Sequence, residues 1–312
     1  MEKMNPITRR KFIRNTMLSS AALPLMSNLP TGSVHTPRAT PPLNIYLFSK
    51  HLRFLSTESM AEAAAEIGFD GVDLTVRPKG HVLPEQAADV LPLALEHIKK
   101  NGLKADMMTT SINDPDNETT KKILSTAASH GIETYRMGYW RYGKEEQNIP
   151  AALRRFRKKM QKLAVLNKKL GLRGGYQNHS GSYVGASLWE VWQLLEHTNE
   201  EGIGAQYDIR HATVEGGYYW KTSLQLLQKR IVSVVLKDFK WQKVNGKWKT
   251  INTPIGEGMV DFAGFFAWLK QYKISVPVSM HYEYLGGMTD KDEIFRTMKK
   301  DLQEVRKRWN NT

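Results

Sequence analysis

Residues 43–76 read LNIYLFSKHLRFLSTESMAEAAAEIGFDGVDLTV, and this stretch decides the fold class. Leu43–Phe48 is a strand-like apolar run. Thr57–Ile67 follows as a helix, with Thr57 placed to cap it, strong helix formers in Met-Ala-Glu-Ala-Ala-Ala-Glu, and Gly68 as its stop. Gly71–Val76 then returns to a strand. A strand, a helix and a second strand in so short a unit imply parallel pairing across a helical crossover.

The same alternation continues to the C-terminus. Further strands are expected at Ala105–Thr109, Thr134–Gly138, Arg173–Gln177, Gly204–Asp208, Ile231–Lys237 and Pro277–Glu283. Further helices are expected at Pro84–Asn101, Glu118–His130, Pro150–Leu170, Ser187–Asn199, Ser223–Gln228, Phe262–Tyr272 and Asp290–Arg308. Eight strand–helix units over residues 43–312 suit one closed (β/α)8 TIM barrel. An open doubly wound sheet would need a Gly-rich nucleotide turn after an early strand, and the sequence has none. It has no phosphate-binding loop either, so no nucleotide cofactor is expected.

Composition narrows the classes further. The chain of 312 residues is 41% hydrophobic and 24% charged, an ordinary globular balance that excludes collagen-like, coiled-coil and largely disordered chains. No stretch approaches the roughly 18 apolar residues of a membrane span. The absence of cysteine removes disulfides, thiolate metal sites, cysteine nucleophiles and a lipoprotein anchor. Residues 1–42 hold a net +5 of the total +14, leaving +9, much of it in helix-like runs such as Arg154–Lys162 that read as solvated faces. Thr8-Arg9-Arg10-Lys11-Phe12-Ile13-Arg14, followed by a short apolar stretch from Met17 to Met26, resembles a twin-arginine export signal. Residues 1–42 are therefore read as a cleavable signal and linker, with a periplasmic mature protein as the expectation.

In a (β/α)8 barrel, side chains at the C-terminal strand ends share one mouth. The polar residues placed there include Lys50, Asp73, Arg77, His81, Arg136, Gln177, Asn178, His179, Asp208, Arg210, His211, Lys237, Asp238, His281 and Glu283. Gln177, Asp208, His211 and Glu283 offer amide, carboxylate and imidazole donors from neighbouring strands. They make a candidate site for one divalent ion, Mn, Co, Zn or Mg, which would polarise a sugar carbonyl. Strand alternation places His281 and Glu283 on one side of their strand. Each member also has a structural alternative: Glu283 pairing with Arg136 or Lys237, His211 capping the next helix, Asp208 as a satisfied core carboxylate. Lys237 ends a Val-rich strand, where a partly desolvated ammonium can bind an oxyanion or act as a base, with a structural Lys–Glu or Lys–Asp ion pair as the alternative. Glu257 and Asp261 shape a loop and cap the following helix. Tyr139, Trp140, Tyr142, Tyr218, Tyr219, Trp220 and Trp241 fall in mouth loops, where aromatic faces suit sugar rings.

Taken in order, Gly71-Val72-Asp73, Gln177-Asn178-His179, Asp208-Ile209-Arg210-His211, Val235-Leu236-Lys237-Asp238, Gly256–Phe262 and the terminal Glu283 resemble the xylose isomerase-like TIM-barrel superfamily. This is the sugar phosphate isomerase/epimerase group, which also contains endonuclease IV. The resemblance implies a small carbohydrate substrate. In the ketose 3-epimerases of this group it implies one divalent metal on Glu, Asp, His and Glu from strands 5 to 8, the two glutamates moving the proton. Asp208 and Glu283 match, and His211 matches an accessory histidine. Gln177 replaces the first Glu, and Val235 stands where the His belongs.

The resulting expectation is an exported sugar isomerase/epimerase-like enzyme working by proton abstraction next to a carbonyl. Glu283, Lys237 and His211 are its base candidates; Arg77, His81, Arg136, Asn178, Trp220 and His281 would hold the substrate. The departures admit His281, His179 or Lys237 as replacement bases, and lyase or hydrolase chemistry on a keto-sugar or glycoside as an alternative. A non-catalytic sugar-binding barrel is the further alternative. The nuclease branch needs a three-zinc cluster and more ligands than these strand ends supply, so no nucleic-acid partner is expected. No membrane span is expected in the mature chain, and the oligomeric state stays open, a homodimer included.

Overall fold

In the computed structural model, eight parallel strands close into a barrel. The structure describes residues 42–143 and 148–312, so the export-signal reading of residues 1–42 lies, Pro42 apart, outside the described residues. In chain order the strands are β1 (Ile45–Phe48), β2 (Gly71–Val76), β3 (Lys104–Thr110), β4 (Thr134–Arg136), β5 (Arg173–Gln177), β6 (Ile203–Asp208), β7 (Ile231–Leu236), β8 (Asp238–Val244), β9 (Lys247–Thr253) and β10 (Val278–Met280). The ring runs β1-β10-β7-β6-β5-β4-β3-β2 and closes on β1, so the (β/α)8 expectation holds. The helices are α1 (Thr57–Ile67), α2 (Ala87–Lys100), α3 (Glu118–Ser129), α4 (Ile149–Leu170), α5 (Leu188–Leu195), α6 (Ile209–Gly216), α7 (Trp220–Leu227), α8 (Phe262–Gln271) and α9 (Lys291–Asn311).

Local chemistry sets the boundaries. α1 starts one residue earlier than Thr57 would suggest as a cap: Ser56 accepts from the Ser59 N–H at 3.1 Å, and Gly68 at φ 102° ends the helix in the left-handed region. Asp261 caps α8, as its position in the sequence implies, by accepting from Gly264. The strands' outward residues, among them Leu47, Leu74, Met108 and Leu236, are fully buried against the helices. Buried tyrosines reach partners at the layer boundary: the Tyr135 hydroxyl donates to Asn167 and that of Tyr207 to the Trp220 carbonyl. The barrel interior is polar. Asp73 accepts from Ser279 at 2.7 Å and Thr109 at 3.1 Å, and burial pushes its carboxyl up to about 6.

Three elements differ from expectation. β10 ends at Met280 and the chain turns into a 3-10 segment at Glu283–Leu285, so His281 and Glu283 do not share a strand face. The expected helix at Ser223–Gln228 is the tail of α7, preceded by α6, which springs directly from β6. Between β7 and α8 the chain inserts an antiparallel hairpin, β8–β9, in register from Asp238↔Thr253 to Val244↔Lys247. It carries Trp241 and Trp248 exposed, so Trp241 lies on a ribbon and not in an irregular loop.

Candidate active site

The end of β6 organises the mouth. Asp208 is fully buried; its Oδ1 accepts from the His211 N–H at 3.0 Å and so caps α6, while its Oδ2 accepts from Gln177 Nε2 at 2.7 Å. The Lys237 ammonium, on the first residue after β7, lies 3.0 Å from the same Oδ2 and 2.9 Å from His211 Nε2. His211 Nδ1 faces Ser180 Oγ at 2.7 Å. Nδ1 also accepts from the Ser180 N–H at 3.2 Å and faces the Arg210 guanidinium at 3.0 Å, so donor groups approach both ring nitrogens. Arg210 braces this corner, donating to Ser180 Oγ at 3.2 Å and to Asn252 of β9 at 3.1 Å. Burial pulls the Lys237 ammonium down from its ordinary range, against Asp208 and Glu283, which pull it up. Burial, then Lys237, hold His211 well below the usual imidazole range, so the ring is neutral.

Across the mouth, the ends of β10 and β1 form a second cluster. Glu283 pairs with Lys50 at 2.7 Å, not with Arg136 or Lys237. Burial raises its carboxyl, but His51, Lys237 and Lys50 outweigh that and hold it at about 2. Lys50 is the partner that sequence reasoning missed; its only signal was its place after the first strand. His281 stacks on Phe48 at 4.1 Å, and its Nδ1 lies 3.9 Å from Glu283 Oε1. Burial and Lys237 hold the ring neutral. His51 accepts from the Tyr282 N–H, and burial lowers it to about 3. His81 is tied through Nδ1 to Ser49 and Thr75, while Arg77 lies 5.6 Å over Phe48. The Nε2 atoms of His81 and His281 are buried and have no hydrogen-bond partner among the described residues. In a site facing a mouth, such atoms are candidates for substrate contact.

On the β4–β5 side, Arg136 donates to Tyr139 at 2.7 Å, to Gln177 Oε1 at 3.3 Å and to the Thr110 carbonyl. Tyr139 also donates a short bond to Gln177 Oε1. His179 packs between Tyr183 and His211 at 4.4 and 4.0 Å, and burial with Lys237 lowers it to about 4. Beneath Lys237, Asp238 grips the loop after the hairpin, accepting from the amides of Phe239, Gly256, Gly258 and Val260 at 2.8–3.1 Å. Gly258 approaches Asp238 so closely that a Cβ there would collide with its carboxylate.

Two expected substrate contacts are corrected. Trp220 is buried at the start of α7, edge-on to Phe265, where it packs in the helix layer. Asn178 is fully buried and clamps β5 to β6, accepting from the Asp208 N–H at 2.8 Å and donating to its carbonyl at 3.0 Å. Of the loop aromatics, Trp140 is sandwiched between Phe156 and Tyr176 in the core.

The expected metal set is also rearranged. Gln177 turns its NH2 toward Asp208 and its oxygen to Arg136 and Tyr139, Glu283 holds Lys50, and Val235 is an apolar side chain in register with Asp208. Asp208 and His211 both face the Lys237 ammonium. Among the described residues no three His, Asp or Glu side chains converge to hold an ion. The residues present do not fit the divalent metal that the resemblance implies, because each carboxylate already faces a lysine of this chain.

Residues 61–305 match the family described as xylose isomerase-like TIM barrel. The chain belongs to that family. Solved structures of similar xylose isomerase-like barrels include the 3-keto-D-glucoside 4-epimerase of E. coli in its apo form, 14% identical, TM-score 0.64, covering 85% of this chain and 100% of that one. D-allulose 3-epimerase from Methylomonas sp. in complex with D-allulose is 16% identical, TM-score 0.65, over 85% and 97%. A xylose isomerase-like TIM barrel protein from Mycobacterium smegmatis in complex with magnesium is 11% identical, TM-score 0.64, over 86% and 98%. At these identities the likeness shows the fold. No curated protein sequence matches the chain. Among the described residues, no helix is long and apolar enough to cross a membrane.

Proposed function

We propose that this xylose isomerase-like barrel is an exported sugar isomerase/epimerase-like enzyme that moves a proton at the carbon next to a carbonyl. The observation that carries the reading is the placement of two neutral imidazoles around one ammonium. His179 follows β5 and His281 follows β10, while Lys237 follows β7, which lies between those strands in the ring. Burial keeps both imidazoles unprotonated near neutrality, so each can accept a proton. The ammonium has three N–H donors; Asp208 takes one and His211 stands beside it, which leaves a donor to face the oxyanion that forms when the carbonyl carbon's neighbour loses its proton.

The positions deepen the reading. Gln177 and Glu283 stand where the related epimerases use glutamates; the first cannot take a proton and the second is held by Lys50. His179 and His281 lie two residues from each of them, on the same two strand ends. Glu283 Oε1 lies 3.9 Å from His281 Nδ1, and Nε2, which has no partner among the described residues, is left to the substrate. Lys50, Arg77, Arg136, Arg210 and Lys237 outnumber Asp73, Asp208 and Glu283 around the mouth, which favours an anionic intermediate. The twin-arginine-type N-terminus supports a periplasmic location.

The test is solvent-deuterium exchange, followed by proton NMR, into D-allulose, D-fructose and a 3-keto-D-glucoside with the full chain. At least one should exchange the hydrogen beside its carbonyl. His281→Asn should slow that exchange by about 100-fold or more, the scale of a lost general base. Exchange into none of the three, or exchange undiminished in His281→Asn, refutes the reading.

A further inference from the structure

We propose that Lys237 is a built-in replacement for a metal ion: its ammonium fills the place between Asp208 and His211 that a divalent cation would need. Asp208 Oδ2 and His211 Nε2 stand 3.7 Å apart. Two ligands on a single ion at roughly 2.1 Å would be about 3.4 Å apart in tetrahedral geometry. The pair therefore keeps the bite of a metal site. Both atoms face one nitrogen, Lys237 Nζ, at 3.0 and 2.9 Å. An ion entering that bite would meet a fixed positive charge in a buried pocket, where like charges repel strongly.

The neighbours complete the exchange. Val235, two residues before Lys237 and on the same side of β7, gives an apolar wall beside Asp208 where a further ligand would be required. Gln177 approaches Asp208 with its donor face, which suits a carboxylate already neutralised by a lysine. Lys50 gives Glu283 its own cation. A lysine ammonium is a point charge with donors to spare, so it can steady an oxyanion as an ion would, without exchanging ligands. For that chemistry the inference rests on the proposed proton transfer; for the occupancy of the bite it does not.

The experiment reads ion binding alone. The full chain is stripped with EDTA, then titrated separately with Mn, Co, Zn and Mg salts by calorimetry, with metal content by mass spectrometry. The variants are Asp208→Ala, Lys237→Ala and Val235→His combined with Lys237→Ala. Wild type should show no ion that Asp208→Ala removes. The double variant should bind about one Co or Zn ion per chain, about 100-fold more tightly than wild type, the scale on which ligand-shell changes act. Lys237→Ala should gain weaker binding and be raised in Tm by the added ion.

A wild-type ion lost in Asp208→Ala overturns the inference, and this arm needs no lysine variant to fold. So does a double variant that folds by circular dichroism and binds no better than wild type. A failed sugar screen beside the expected ion binding would remove the proposed activity and leave the lysine in the ion's place.

Discussion

Asp208→Asn isolates the charge at the centre of the mouth. The substitution is isosteric and keeps a side-chain oxygen for the His211 amide, but it turns an NH2 toward the Gln177 amide and leaves Lys237 buried without its anion. The lysine's alternative is to lose its proton. From its ordinary value of 10.5, deprotonation at pH 7.5 costs about 4 kcal/mol, at about 1.4 kcal/mol per pH unit. That sets the ceiling of the loss and agrees with the roughly 3–5 kcal/mol found when one partner of a buried pair is removed. The sign follows from linkage. A lysine held neutral in the fold binds fewer protons there than in the unfolded chain, so the variant gains stability as pH rises and loses it as pH falls. Urea unfolding at pH 6.5, 7.5 and 9 should show the deficit shrinking toward the alkaline end more steeply than any trend in wild type. Lys237→Met added to Asp208→Asn removes the stranded charge and should restore at least half of the loss at pH 7.5. A deficit of the same size at every pH, or a double variant that loses the sum of the two single variants, would refute the account.

Acid should destabilise the barrel through its buried histidines. His51, His179, His211 and His281 are neutral in the fold, so below pH 6.5 the unfolded chain takes up protons that the fold refuses. Each costs up to about 1.4 kcal/mol per pH unit, so at pH 5.5 the four together approach roughly 5 kcal/mol, offset in part by Asp73 and Asp301, whose carboxyls burial raises to about 6 and which the fold protonates first. Glu283, depressed to about 2, keeps its contribution until pH falls below its ordinary 4.5. A Tm unchanged between pH 7.5 and 5.5 would contradict this. Asp238→Asn should cost about 2 kcal/mol, because it weakens several buried amide bonds at once. Hydrogen exchange should rise at Gly256, Gly258 and Val260 and stay unchanged at β2; unchanged exchange in the loop would show that the carboxylate does not hold it.

The barrel was legible because parallel strands covered on both faces read as nearly continuous apolar runs, as Ile231–Leu236 does with Ser233 its one polar residue, most of them followed by an amphipathic helix. The hairpin escaped because Asp238–Val244 and Lys247–Thr253 mix lysines with aromatics and lie outside the ring, so they imitate a polar loop. Gln177, Asp208, His211 and Lys237 could be placed at one mouth from strand ends alone. Which atom each one holds could not, because that depends on the reach of long side chains: Lys50 meets Glu283 across 233 positions of sequence. Trp220 was misplaced for a related reason. Its position after a strand suggests a mouth loop, whereas the chain enters a helix directly after β6 and Trp220 opens the next one, buried against Phe265.

The hairpin has a consequence for how these molecules meet one another. Among the described residues the ribbon has no third strand: Met259 covers the outer edge of β8 at Phe239 and Trp241, and the outer edge of β9 is left with backbone amides and carbonyls that another ribbon could zip onto. Lys240, Lys243, Lys247 and Lys249 crowd those strands, all exposed and all of one sign. Bringing two ribbons edge to edge would force these ammonium groups together at strand spacing. The lysines therefore keep a protruding, tryptophan-bearing strand pair from becoming a seed for stacking, and salt high enough to screen them would weaken that protection.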